Sequence, residues 1–368
     1  MKKIEIDSKE LSRALSVGGS MAGRNRSVPV YDYVKLAASP SGMRVVSFNG
    51  EVAVSARCAV LSCTEETAVC MDAESLSSYV RLVDGSTVSL CMDYDRMVCS
   101  VSHEGGSFEL PFEDAGIFPS PAMDDDCVRA VMDARLLSQM LRVSQRFVAA
   151  DPLRPVMAGM YIAFSGGSVE FCATDSHQLI TGSWEAVEMG GDASAIIPQT
   201  AFRPLLDILK DAESVTLRIG AQNAVVSTGD ASVNCRLVDG KYPAFRSVIP
   251  QSFGIRATGI GTAAVAAAAE RCALSNDTLR MDLAPGTGIV MSASGLQTGR
   301  GSRESVPCAA DGELSIAFSA KRLVSALSAV RGDTFDLLLN EPDRAAVIRD
   351  PEDDGVTILI MPVRMNAE

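Results

Sequence analysis

The chain has 368 residues, 47% of them hydrophobic and 21% charged, with a formal net charge of −13. That hydrophobic content excludes an intrinsically disordered chain and leaves room for two or three cored domains. The acidic balance excludes adhesion of the whole surface to nucleic acid or anionic membrane, but not a local basic patch. Ten cysteines form no C-x-x-C pair and two histidines accompany them, so neither zinc nor another cofactor is expected. Runs such as Met97-Val98-Cys99-Ser100-Val101 read as buried reduced thiols of a cytoplasmic protein. The first residues lack the apolar core of a signal peptide, and the alanine-rich run near Ala263 is too short to span a membrane.

Taken in order, residues 3–6 alternate as a strand and a helix opens at Asp7-Ser8, running through Leu11, Leu15 and Val17. Val69-Cys70-Met71 leads into a helix from Asp72 to Val83, then a strand at Thr87–Met92 and a strand pair over 97–110. Residues 128–132 and a helix over 135–148, opening at Asp133, repeat the first pattern. Ala195-Ile196-Ile197, a helix at Pro198–Lys210, a strand at Ser214–Ile219 and a pair over 224–238 repeat the second. Residues 253–258, a helix from Gly261 to Leu274, Leu314-Ser315-Ile316, a helix at Ser319–Val330, a strand at Thr334–Leu339 and a pair over 345–361 repeat both. Asn49-Gly50, Asp84-Gly85 and Asp239-Gly240 read as tight turns. The period is roughly 125 residues, longer than a solenoid repeat and normal for a domain. The fold class expected is therefore α+β: three repeated domains at 1–125, 126–250 and 251–368, each with two helices on one face of antiparallel sheet.

Within Cys172-Ala173-Thr174-Asp175-Ser176-His177-Gln178-Leu179, the residues Asp175, Ser176 and His177 are the chemical set of a hydrolase triad. Consecutive residues do not converge as a triad must, and no G-x-S-x-G elbow surrounds the serine. A strand end closed by side-chain to backbone hydrogen bonds, or one wall of a binding site, suits the stretch better. The positive charge gathers on predicted helices. Arg135, Arg142 and Arg146 fall on one stripe of the helix over 135–148; Arg203 and Lys210 are seven apart; Lys9, Arg13, Arg81, Arg271, Lys321 and Arg322 sit on the others. Arg24 and Arg26 add a basic loop. Basic helix faces on an acidic body suit sequence-independent contact with a phosphate backbone, and no aromatic residues interleave for single-strand stacking.

Three stretches then carry a family resemblance. Ala173-Thr174-Asp175-Ser176-His177-Gln178-Leu179 is similar to A-T-D-G-H-R-L, Leu237–Arg246 to L-V-D-G-x-[FY]-P-x-[FY], and Ile360–Met365 to V-M-P-[MV]-[RK]-L. With Gly23-Arg24 and Pro29-Val30, they make the whole chain resemble the bacterial DNA polymerase III beta subunit, the DNA sliding clamp. The resemblance implies a processivity factor of DNA replication: a head-to-tail homodimeric ring encircling duplex DNA, helices lining the hole and sheets outside. It implies partners, namely the replicative polymerase, the clamp loader and other clients, and no membrane. It implies an accessory subunit with no catalytic site of its own, any exonuclease activity residing in the holoenzyme.

Carried over motif by motif, the client-peptide pocket is Met157, Thr174, His177, Leu179, Pro243, Val248, Met361, Pro362, Val363 and Arg364. Arg24, Arg26, Arg135, Arg142, Arg146, Arg203 and Lys210 would face DNA. Phe108 and Leu110 fit a subunit-joining strand, and Ala273-Leu274 its partner. Ser176, Gln178 and Ser247 depart from the family pattern, and Asn366-Ala367-Glu368 extends past the usual end, which bears on client preference. Two alternatives accompany this reading. Gly259-Ile260-Gly261-Thr262-Ala263-Ala264 matches G-x-G-x-x-A before a helix, as in a dinucleotide-binding oxidoreductase. The other is a clamp-fold interaction hub with no role on DNA.

Overall fold

The structure is a computed structural model describing residues 2–25, 27–83, 85–119, 121, 126–151, 153–185, 188–295 and 299–364. Arg26, Asp84, Met365 and Asn366-Ala367-Glu368 lie outside the described residues. The chain divides into two compact units, Met1–Gln139 with Ala186–Val238, and Met140–Glu185 with Asp239–Glu368.

Among the described residues, six helices recur in the expected rhythm. α1 (Ser8–Gly18) follows strand Lys2–Asp7, and α2 (Ala73–Leu82) follows Thr67–Asp72. α3 (Ala134–Ser144) follows Val128–Asp133, and α4 (Phe202–Leu209) follows Ala193–Pro198 after a 3-10 turn at Gln199–Ala201. α5 (Thr262–Ala273) follows Ile255–Gly261, and α6 (Ala320–Leu327) follows Leu314–Ser319. An acid at the strand end starts three of them. The Asp7 Oδ1 accepts from Lys9 N (2.9 Å) and Glu10 N (3.3 Å), Asp133 Oδ1 from Arg135 N (2.6 Å) and Leu136 N (3.1 Å), and Asp72 Oδ1 from Ser75 N (2.8 Å). These bonds satisfy amides that a first helical turn leaves without partners. Gly261 has no side chain to do this before α5, where the Thr262 hydroxyl bonds Gly332 O instead.

α3 is shorter than expected. After Ser144 the chain tightens, with Phe147 N (2.9 Å) and Val148 N (3.1 Å) both donating to Ser144 O. Phe147 and Val148 are buried, so their apolar pattern reads as a continuing helix although the backbone has turned. Arg146 therefore lies beyond the helix and not on its stripe. Asp239-Gly240 is not a hairpin turn either, since it leads from strand Ala231–Arg236 into irregular chain before a 3-10 turn at Phe245–Val248. Gly240 has φ +126, and a Cβ there would meet Val156 Cγ1 at 2.7 Å, so glycine is required.

In the first unit one antiparallel sheet of fourteen strands runs through both of its chain segments. Strand Val52–Cys58 pairs with Ala231–Arg236 in register Val54↔Val233, joining the first repeat to the second. α1 and α2 cover one face of the first repeat's strands, with Leu11, Leu15, Leu76 and Val80 packed on Met43, Val45, Met71 and Leu90. Truncating a side chain such as Leu11 to alanine typically costs about 3 kcal/mol. In the second unit Gly159–Ser165, Ser168–Thr174, Gln178–Glu185, Val356–Ile360, Ala346–Arg349, Thr334–Leu339, Ile255–Gly261 and Ala309–Ala310 lie side by side. A separate sheet has the order Arg300–Val306, Gly288–Gly295, Thr278–Ala284, Leu314–Ser319, and α5 packs against α6.

This topology removes the dinucleotide alternative. Strand Ile255–Gly261 is antiparallel to both neighbours, not the first strand of a parallel βαβ unit, and Gly259 falls at a register shift between Ala257 and Ile260 while Gly261 pairs with Thr334. Gly259 has φ +66 and its N–H donates to Asp336 Oδ1 (3.1 Å), so the glycine serves a bulge.

Candidate functional site

The strand pair Ser168–Thr174 and Gln178–Glu185 closes in the register Thr174↔Leu179, leaving Asp175, Ser176 and His177 as its turn. The turn is held by its own polar groups. Asp175 Oδ1 accepts from His177 N and Gln178 N, both at 2.8 Å. The Thr174 hydroxyl donates to Gln178 O (2.7 Å) and accepts from Ser176 N (3.1 Å). With Asp175 bound to these amides and Arg322 3.9 Å from its Oδ2, the three triad-type residues serve a turn. Ser176 has φ +75, a left-handed conformation that suits the glycine of the related motif better than serine. Its hydroxyl has a use, because Arg154 Nη1 donates to it at 2.7 Å. Gln178, the other departure, is buried; its Nε2 donates to Arg146 O at 2.8 Å.

Two bonds bring the terminal run beside this turn. Met361 N donates to His177 O and Val363 N to Ala317 O, each at 2.8 Å. Thr174 and Leu179 are buried and do not line the open depression at Val248 and Met361. Met157, Pro362 and Val363 are half-buried, and His177, Pro243, Val248, Met361 and Arg364 are exposed. Met157 N bonds Arg154 O (3.0 Å), which ties Met157 to the arginine that Ser176 holds. Val248, 53% exposed, and Met361, 37% exposed, line one open depression of about 810 Å³ with Pro250, Asn340, Arg344 and Ala345. Pro243 is positioned by its neighbour Tyr242, whose hydroxyl bonds Cys172 O (3.3 Å) and whose ring stacks on Tyr161. Burial pushes the Tyr242 hydroxyl far above the usual phenol range, so it stays protonated as a donor. Arg154, Arg322 and Arg344 were invisible to sequence reasoning as members of this site. Arg154 and Arg322 lie far in sequence from the Ser176 and Asp175 they join, and Arg344, whose ion pair is with nearby Glu341, lies far from the Val248 with which it lines the depression.

The residues expected to face DNA are less uniform. Arg24 and Arg135 are exposed, as is Arg142, and Arg24 lines a depression of about 620 Å³ that also holds Arg81, Asp32 and Glu74. Arg203 is paired with Asp207 (3.1 Å), and Lys210 is exposed just past α4. Arg13, Arg271 and Arg322 are likewise matched with Glu10, Glu304 and Asp175, so the basic helices carry less free charge than the sequence suggests.

At the expected joining strand, Phe108 is half-buried and stacks on Tyr79 at 5.0 Å. Leu110 is 4% exposed and belongs to the core of its own domain, so its side chain is not interface surface. Among the described residues, the stretch from Gly106 to Pro111 pairs on one side, with Val98–His103, and Arg300–Val306 pairs on one side, with Gly288–Gly295. Leu274 is 75% exposed and Ala273 half-buried.

Comparison with known proteins adds the family. Residues 132–244 match the family model for the DNA polymerase III beta subunit, central domain, and residues 246–364 match that for its C-terminal domain. A beta sliding clamp of Synechococcus elongatus is 24% identical over 99% of this chain and 100% of its own length; one of Caulobacter vibrioides is 23% identical over the same shares. The DNA polymerase III subunit beta of Pseudomonas aeruginosa superposes with a TM-score of 0.92 at 19% identity, covering 99% of this chain and 100% of that one. The DNA polymerase sliding clamp of Bacillus subtilis gives 0.92 at 21% identity over the same shares. With both domain models matched in succession and the likeness extending over the full length, the chain belongs to the DNA polymerase III beta subunit family, the sliding clamps.

Proposed function

We propose that the chain is a processivity factor of DNA replication. Three domains, at 1–125, 126–250 and 251–368, are repeated in a homodimeric ring that encircles duplex DNA in the cytoplasm. The ring tethers the replicative polymerase, clamp loader and other clients and does no chemistry of its own. The observation that carries this reading is the lacing of the 174–178 turn to the terminal run by the Met361 N to His177 O bond, beside exposed Val248 and Met361. The depression beside them sets apolar Val248, Pro250, Ala345 and Met361 among polar Asn340, Glu341 and Arg344, and a peptide site combines apolar contacts with polar groups that fix orientation. The two half-paired strand edges, one carrying Phe108 and the other beside α5, supply a route to dimerisation by strand pairing.

The test is retention on circular DNA. After loading, the protein should stay on nicked circular duplex and be released when the circle is linearised. A clamp-fold hub with no role on DNA would show no such difference. Free protein should bind linear duplex weakly, without sequence preference, and less as salt rises. Sedimentation should give a dimer. Leu274→Asp should give folded monomers, whereas Leu110→Asp should unfold its domain.

A further inference from the structure

In the first unit, strands Gly42–Phe48 and Val52–Cys58 place Arg44 directly opposite Arg57. Met43, Val45, Ala56 and Cys58 on these strands belong to the core under α1, so the two arginines stand on the opposite face, and both are exposed. Like charges directly opposed on an antiparallel ladder destabilise it. A second opposed pair, Arg129↔Arg218, shows how a sheet neutralises this arrangement: Glu188 on the adjoining strand Glu188–Met189 pairs with Arg129 at 3.5 Å. Next to Arg44 the corresponding row holds Ala37 and then Ala68, methyl groups where an acid would fit. Among the described residues neither the Arg44 nor the Arg57 guanidinium makes a hydrogen bond or ion pair with a protein group. Lys35, on the same face two residues from Ala37, adds a third cation.

Arg44 and Arg57, though not Lys35, border an open depression of about 630 Å³ whose lining includes Ala37, Ser39, Glu66 and Ala68. Ala37, Ser39, Gly42 and Ala68 in its lining are small, which leaves room for an extended chain to approach the sheet. Two adjacent planar forks suit a pair of carboxylates held bidentately. The acids nearby include Glu66, at the rim; Asp230, whose carbonyl accepts from Arg57 N (2.7 Å); and Glu113, in the cross-strand row of Lys35 beyond Cys70. Arg13 donates to Arg57 O (3.4 Å) and is paired with Glu10. No aromatic side chain lines the depression, so bases would find nothing to stack on. Glu66 would repel a continuous phosphate chain, but can meet a lysine or arginine beside the carboxylates of a peptide.

We propose that the face carrying Lys35, Arg44 and Arg57 docks an acidic, extended segment of a partner protein, at a place separate from the 174–178 groove and independent of the family reading. The probe is a short fluorescein-labelled peptide of alternating glutamate and glycine, its glutamine counterpart, and a single-stranded oligonucleotide of equal charge, each titrated into the full-length protein by anisotropy. The acidic peptide should bind, more weakly as salt rises, and the glutamine peptide should not. Arg44→Ser with Arg57→Ser should weaken binding by at least roughly tenfold, as loss of a charge-assisted contact requires. Arg44→Glu should abolish binding while raising Tm, since an ion pair replaces a repulsion. Met361→Ala should leave the acidic peptide's affinity unchanged. Equal binding of both peptides, no loss in the double variant, or preferential capture of the oligonucleotide by the same arginines would each overturn the proposal, the last in favour of a nucleic acid.

Discussion

The turn at 174–178 and the terminal run at 361–364 adjoin one another and are held in opposite ways. In the turn almost every polar group is committed to local backbone: Thr174 and Asp175 together close four hydrogen bonds, and Arg154 and Arg322 brace the outside. The terminal run is fixed through the amides of Met361 and Val363, which leaves the side chains of Met361 and Arg364 exposed. One wall is a template with a set shape. The other presents a flexible thioether and a long cation, groups that adapt to different partners. Definite geometry and breadth of partners thus come from different segments of chain.

The sharpest way to break this comparison is to dismantle the template. Asp175→Ala removes the acceptor for two amides and the partner of Arg322, and should cost about 3 kcal/mol of stability, read as a lower denaturant midpoint with unchanged slope. Next in size is the adaptable wall. Met361→Ala with His177→Ala should weaken a client peptide of the kind this family binds by roughly thirtyfold, about 2 kcal/mol by calorimetry, while moving stability by no more than about 0.5 kcal/mol. If that double variant unfolds instead, the terminal run is as structural as the turn and the contrast is lost. The smallest effect is at Ser176. Ser176→Gly relieves the left-handed backbone and should stabilise the protein by about 0.5–1 kcal/mol in thermal unfolding, even though the bond from Arg154 is lost. A stability loss there would mean that the arginine bond outweighs the backbone strain.

Much of the fold was legible because its signals are local. Asp7, Asp72 and Asp133 each end a strand and start a helix within three residues, and apolar spacing did the rest. The end of α3 was not legible, because Phe147 and Val148 are buried whether the chain continues as helix or turns. Leu110 shows a second limit. Alternation places Phe108, Leu110 and Phe112 on one face of their strand, but cannot say where along it that face leaves the core. At the site, the motif residues could be named from sequence, while the Arg154 to Ser176 and Gln178 to Arg146 bonds could not, since they join positions 22 and 32 residues apart.

The ladder between Val52–Cys58 and Ala231–Arg236 has a consequence for how the protein comes apart. It is extended at both ends by further backbone bonds, from Arg236 N to Glu51 O (2.9 Å) and from Arg57 N to Asp230 O (2.7 Å). Strands from two successive repeats thus share one cooperative hydrogen-bonded block. Amides at Ser55 and Ser232, a hydrogen-bonded pair of this ladder, should exchange with solvent deuterium through the same opening event, at the same rate under native conditions. The unit of sequence repetition and the unit of unfolding are then different objects: the repeat is bounded by where its pattern restarts, and the unfolding unit by where backbone pairing stops.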